Sequence, residues 1–187
     1  MAFPPAHLLV GMGVAEVVRS AAPPLSRRRA WLLAAGLAMS PDLDFVLGIA
    51  LRRGAAYHGT FTHSVVAVLA VAAVVAAVAG ARWAVLAGAG YGSHLVVDLL
   101  DDRGRTNVLL AWPFSDERPF AIARVFPKVP FQGEEGLREA VLSLARPDVV
   151  LMLLVQTGMG LLVFLALFAL ARVIRLLRGR HRTLPRP

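Results

Sequence analysis

Long apolar runs alternate along the chain with short polar or basic breaks, and the runs have the length of helices, not of strands. Residues 6–18 form a helix-like run of about thirteen residues, below the roughly 20 that cross a bilayer, so a short, half-buried helix is expected there. Residues 30–51 are long enough to span but are interrupted by Ser40, Pro41, Asp42 and Asp44. Residues 65–81 are almost pure Val and Ala, residues 83–100 follow a one-residue break at Arg82, and residues 148–171 are the longest clean run. The pattern predicts an all-α, polytopic membrane helical bundle with about four transmembrane helices plus the short N-terminal helix.

Residues 101–147, between the third and fourth predicted spans, hold most of the acidic residues. Within them 134–146 reads as an amphipathic helix with Leu137, Val141, Leu144 and Ala145 on one face, suited to the membrane interface. The expected organisation is a single membrane-embedded domain over 1–171, with 101–147 as an interfacial insertion and 172–187 as a basic tail. No signal peptide is expected, because no basic residue precedes the first apolar run.

Composition agrees. The chain is 57% hydrophobic and 17% charged, with mean hydropathy +0.65, where soluble domains hold about 25% charged residues. That excludes disorder and an ordinary soluble enzyme. The net charge of +8 is scattered at the ends of apolar runs, where membrane orientation accounts for it and nucleic acid is not an expected partner. The absence of cysteine removes thiol nucleophiles, disulfides and Cys-ligated zinc.

The informative residues are the few ionisable ones in the apolar first hundred: Glu16, Asp42, Asp44, Asp98, His7, His58, His63 and His94. Such a group inside a membrane helix costs about 2.5–3.5 kcal/mol on insertion scales, which makes each a functional candidate. His94 and Asp98 are four apart and share a helix face. Asp42 and Asp44 follow Pro41 at a chain break, and His58 and His63 lie just ahead of a span. Let Arg19–Arg29 mark one side, A. At about 1.5 Å per residue, His7, Asp42, Asp44, His94 and Asp98 each lie roughly 16–22 Å from side A, level with His58 and His63. Seven groups thus converge near the opposite end, B. Imidazole with carboxylate and no thiolate is a ligand set for zinc, manganese or non-haem iron. Glu16 is expected to be a helix-face or snorkelling carboxylate, and His181 a solvated tail residue.

At these residues the chain resembles the bacterial and archaeal family of membrane-bound metal-dependent hydrolases, the YdjM-like inner-membrane proteins. The family pattern is an early His, L-P-D-I-D, H-R-G-x-T-H-S, S-H-x-x-x-D and W-P-F. Here it reads His7, Ser40-Pro41-Asp42-Leu43-Asp44, His58-Gly59-Thr60-Phe61-Thr62-His63-Ser64, Ser93-His94 with Asp98, and Trp112-Pro113-Phe114, over roughly 6–120. One departure is Gly59, where the family carries Arg. The resemblance implies metal binding by the His and Asp positions and location in a bacterial or archaeal inner membrane. It names no substrate.

The leading expectation is a hydrolase using one or two divalent ions, zinc first and manganese as alternative. The metal ligands would be His7, Asp42, Asp44, His58, His63, His94 and Asp98, with Asp44 as general base, His63 in the catalytic set, and Thr62, Ser64 and Ser93 orienting ligands. A site at the membrane surface suits a lipid-like or amphiphilic ester, such as a phosphodiester. Rival classes are a divalent-cation or proton-coupled transporter and a membrane scaffold. No H-E-x-x-H occurs, no Ser/His pair comes from two separate helices, and Gly11-Met12-Gly13 has no strand before it. Side A collects Arg27–Arg29, Arg82 and the tail arginines, so the positive-inside rule makes it cytoplasmic and puts the site on the outer face.

Overall fold

The computed structural model describes residues 3–21, 26–51, 53, 57–100, 106, 108–131 and 137–183. They form α1 (Pro4–Ala21), α2 (Arg27–Met39), α3 (Leu43–Ala50), α4 (Val65–Ala79), α5 (Ala81–Asp98), α6 (Leu137–Leu144) and α7 (Pro147–Thr183). No strand occurs among the described residues. Pro41 lies in a 3-10 turn, Ser40–Asp42, joining α2 to α3, so the predicted interruption is a tightening of one helical path and not a break. Ser64 caps α4 by accepting from the Ala67 N–H, and Gly80, at φ +85°, ends it and turns the chain into α5. α1 is longer than the predicted 6–18 and packs on α2, α5 and α7.

Small and polar side chains make up much of the interior, and many of the large aliphatic ones face outward. Ala6, Ala15, Ala30, Ala34, Ala38 and Ala87 are fully buried, whereas Leu69, Val74 and Val78 on α4 and Leu154, Leu162 and Leu176 on α7 are exposed. This inversion is how helices pack in lipid, where small residues permit close approach and hydrocarbon solvates the rest. The closest crossings show it: a Cβ on Gly90 would lie 2.9 Å from the Ala34 Cα, and one on Gly11 2.7 Å from the Ala38 Cβ.

Two helical segments are long and apolar enough to cross a membrane, Arg27–Gly48 and Pro147–Gly179, fewer than the four predicted. Its caps limit α4 to 15 residues, about 22 Å against a hydrocarbon core of about 30 Å. α5 is the buried centre of the bundle, and the Gly, Ser, His and Asp that pack there lower its hydropathy. Helix α7 runs unbroken to Thr183, so most of the predicted tail continues the span; the side chain of His181 lies outside the described residues. Residues 134–136 of the predicted amphipathic helix also lie outside them, and α6 begins at Leu137. Its apolar residues Leu137, Val141 and Leu144 face outward, while Ala140 and Ser143 are buried, as a helix lying against lipid requires.

Candidate metal centre

Five chain segments meet at one end of the bundle. α1 brings His7 from its first turn, the 3-10 turn brings Asp42, α3 brings Asp44, the 57–64 loop brings His58 and His63, and the last turn of α5 brings His94 and Asp98. Side-chain contacts link all seven predicted metal-site residues into one cluster. The cluster is buried except at Asp42, whose side chain is 15% exposed.

Four donor atoms form its centre: Asp42 Oδ1, His63 Nε2, His94 Nε2 and Asp98 Oδ2. The two imidazole nitrogens are 3.0 Å apart. Asp42 Oδ1 is 3.6 Å from His63 Nε2 and 3.5 Å from His94 Nε2, and Asp98 Oδ2 is 3.6 and 3.2 Å from the same atoms. A tetrahedral zinc with bonds of about 2.0–2.1 Å separates its ligand atoms by about 3.3–3.4 Å, so the spacing suits an N/O-ligated ion.

Hydrogen bonding behind the rings fixes which nitrogen faces inward. His94 Nδ1 lies 2.7 Å from the Ala38 carbonyl, which can only accept, so Nδ1 carries the proton and Nε2 presents a lone pair. Thr62 Oγ1 donates to Asp44 Oδ2 at 2.6 Å and therefore accepts from His63 Nδ1, 2.9 Å away. His63 Nδ1 is also 3.2 Å from Asp44 Oδ2, so Nε2 is the nitrogen that faces the centre. With both rings neutral, four acceptors face one another there. Among the described residues, neither Asp42 oxygen, nor Asp98 Oδ1, has a hydrogen-bond partner. Burial pushes the His63 imidazole down, but the carboxylates of Asp42, Asp44 and Asp98 around it outweigh that and lift it to about 9. In the ion-free protein a proton therefore sits where the donor set suits a cation.

Around this quartet, His7 stacks on His94 with ring centroids 3.9 Å apart and its Nε2 3.5 Å from Asp98 Oδ1. His58 Nδ1 lies 2.9 Å from Asp44 Oδ1 and 3.9 Å from Asp42 Oδ1. Three groups have the spacing to hold an ion, His7/His94/Asp98, Asp42/His63/His94 and Asp44/His58/His63, and they share His63 and His94. Gly59, with φ +78°, donates its N–H to Asp44 Oδ2, so the backbone serves Asp44 where the related pattern carries Arg.

The three hydroxyl residues expected to orient ligands make different hydrogen bonds. Thr62 bridges His63 and Asp44, and Tyr91 fixes the loop by donating to the Thr62 carbonyl at 2.7 Å. Ser64 and Ser93 touch no ligand: Ser64 caps α4 and donates to the Phe61 carbonyl, and Ser93 donates to the Gly90 carbonyl of its own helix. Glu16 departs most from its predicted role. It is 1% exposed and accepts from Arg19, Arg27, Trp31 Nε1 and Arg175 at 2.8–3.2 Å, a second buried polar centre at the opposite end of α1. Gln156 was also missed: it accepts from the Phe3 N–H and donates to the Pro127 carbonyl, tying α7 to the N-terminus and the 108–131 loop.

The sequence model of the YdjM inner membrane protein family matches residues 1–181. The chain belongs to that family. No curated protein and no solved structure matches it. The YdjM family description places the protein in the inner membrane, in agreement with its two apolar spanning segments, and carries no catalytic activity. What this YdjM family member adds is a buried His/Asp cluster with the spacing to hold a metal ion.

Proposed function

We propose that the protein is a membrane-embedded metal-dependent hydrolase acting on an ester or phosphoester of a lipid-like or amphiphilic substrate. The observation that carries this reading is the convergence of two imidazole nitrogens and two carboxylates, Asp98 buried and Asp42 15% exposed, on one centre. Asp42, His63, His94 and Asp98 would hold one divalent ion, zinc by ligand type with manganese next, and His7 with Asp98 Oδ1 offers donors to a second. Such an ion supplies Lewis acidity, making water nucleophilic near neutral pH and polarising a phosphoryl or carbonyl oxygen. Asp44 acts through its neighbours instead of as a free base, since His58, His63, Thr62 and the Gly59 N–H already occupy its oxygens. Asp42 carries the most exposed carboxylate of the cluster, and its Oδ2, buried and without a hydrogen-bond partner among the described residues, would accept a proton from water bound at the centre. Exposed Phe61, Trp112, Phe114, Phe120 and Ile122 lie on the 57–64 and 108–131 loops, which are joined by the Leu109 N–H to Gly59 carbonyl bond. Rings at a membrane surface suit an amphiphilic substrate.

The test is a screen of lipid and synthetic phosphoesters with detergent-purified protein and added zinc or manganese. Hydrolysis by the wild-type protein that is lost in His63→Ala supports the reading; metal-independent hydrolysis, or none by protein loaded with metal, overturns it. Asp44→Asn is expected to keep the fold and weaken metal affinity by about 10–100-fold, because it removes the charge that orients His63. Titration calorimetry with zinc reads this directly, and an unchanged affinity would remove Asp44 from the centre.

A further inference from the structure

An apolar groove of about 490 Å³ runs between α1 and α2, lined by no residue of the His/Asp cluster and ending beside the Glu16 centre at Arg27 and Trp31. Leu8, Met12, Trp31, Leu32 and Ala35 line it, with Arg27 and Arg28 at one end. Arg27 is anchored: its guanidinium pairs with Glu16 and lies 4.7 Å from the Trp31 ring centroid and 5.1 Å from that of Phe168. Arg28 is exposed, and among the described residues it makes no hydrogen bond, ion pair or ring contact.

The charge balance at this end is one-sided. Glu16 is the only acid before Asp42, and no acid follows Asp148. Arg19, Arg27 and Arg175 share that one carboxylate, and Arg178 donates to the Ser20 carbonyl beside it. A carbon-lined groove that ends in surplus guanidinium charge, on a helix that begins a membrane span, complements one molecule of the surroundings: a lipid with a hydrocarbon chain and an anionic headgroup.

We infer that this groove is a binding site for an anionic phospholipid, with an acyl chain against Leu8, Met12, Trp31 and Leu32 and the phosphate on Arg28 and Arg27. Arg28 supplies the free charge, and Arg27, held by Glu16 and the two rings, fixes the position of the headgroup. The site is independent of the His/Asp cluster and stands whether or not that cluster hydrolyses anything.

The full-length protein is reconstituted in vesicles of equal phosphatidylglycerol and phosphatidylethanolamine with matched chains, extracted in mild detergent, and the lipid retained is measured by native mass spectrometry. Phosphatidylglycerol is expected at about one per chain, enriched over phosphatidylethanolamine. Arg28→Gln is expected to lower the enrichment about fivefold, the factor for one guanidinium at an anionic surface. Leu32→Trp, which fills the groove from an exposed position, is expected to displace the lipid while leaving thermal unfolding unchanged. Val74→Trp, on the outward face of α4, serves as the control and is expected to change nothing. Equal retention of both lipids, enrichment untouched by Arg28→Gln, or a second copy of the chain in the groove in place of lipid overturns the inference.

Discussion

Asp98→Asn is expected to strip the protein of its divalent ion and to abolish hydrolysis, with a loss greater than the about 10–100-fold assigned to the orienting carboxylate Asp44. The substitution keeps the size of the side chain and removes only charge and one acceptor. Its effect is large because Asp98 faces His63 and His94 through Oδ2 and His7 through Oδ1, so one carboxylate meets three of the cluster's four imidazoles. The ion-free protein is expected to lose stability as well, because Asp98 is a partner of the proton held among the imidazoles, and its removal leaves that charge less well compensated. A chelator should lower the thermal midpoint of the wild-type protein, which loses its ligand, and leave that of Asp98→Asn unchanged. Differential scanning fluorimetry in detergent with and without chelator checks this; equal chelator responses in the two proteins would detach Asp98 from metal binding.

Glu16→Ala is expected to cost about 3 kcal/mol of stability, because it leaves Arg19, Arg27 and Arg175 around a site with no carboxylate. The partly exposed arginines can recover some hydration, which keeps the value at the lower end for a broken buried pair. In a protein of this size that is a fall of roughly 6–12 °C in thermal midpoint. Metal content should not change, since the two polar centres sit at opposite ends of α1. A midpoint within error of the wild type would show that the arginines, not the carboxylate, order this end.

The residues of the cluster were legible because the chain is so apolar that each ionisable group stood out, and a rise of about 1.5 Å per residue was enough to place them at one level. Their division of labour was not legible. Asp42 and Asp44 are two residues apart, and whether they face one centre or two depends on the junction of a 3-10 turn with α3. That junction turns Asp42 toward the imidazole nitrogens and Asp44 behind them, onto Thr62, His58 and the Gly59 N–H. Glu16 was misjudged for a different reason. Its partners lie 3, 11, 15 and 159 residues away, and only the packing of α1 on α2 and α7 brings them together.

Fewer helices than predicted are long and apolar enough to span. α5 has the length of a span, but the Gly, Ser, His and Asp that pack in the interior lower its hydropathy; ten of its residues are buried and it carries two members of the cluster. α4 is lipid-like on all its faces and has no buried residue, but Ser64 and Gly80 cap it after 15 residues. The resemblance carried by the short motifs led to the right family, and the family in turn leaves the chemistry to be argued from the donors themselves.

That chemistry rests on one claim, that Asp42, His63, His94 and Asp98 hold a divalent ion. Elemental analysis combined with X-ray absorption spectroscopy on the detergent-purified full chain addresses it most directly. The account predicts at least one ion per chain, an all-N/O shell at about 2.0–2.1 Å with imidazole scattering and no sulfur, and loss of that signal in His63→Ala and Asp98→Ala. Protein that retains no stoichiometric metal after growth and loading with zinc or manganese, or whose metal is untouched by both substitutions, would contradict it.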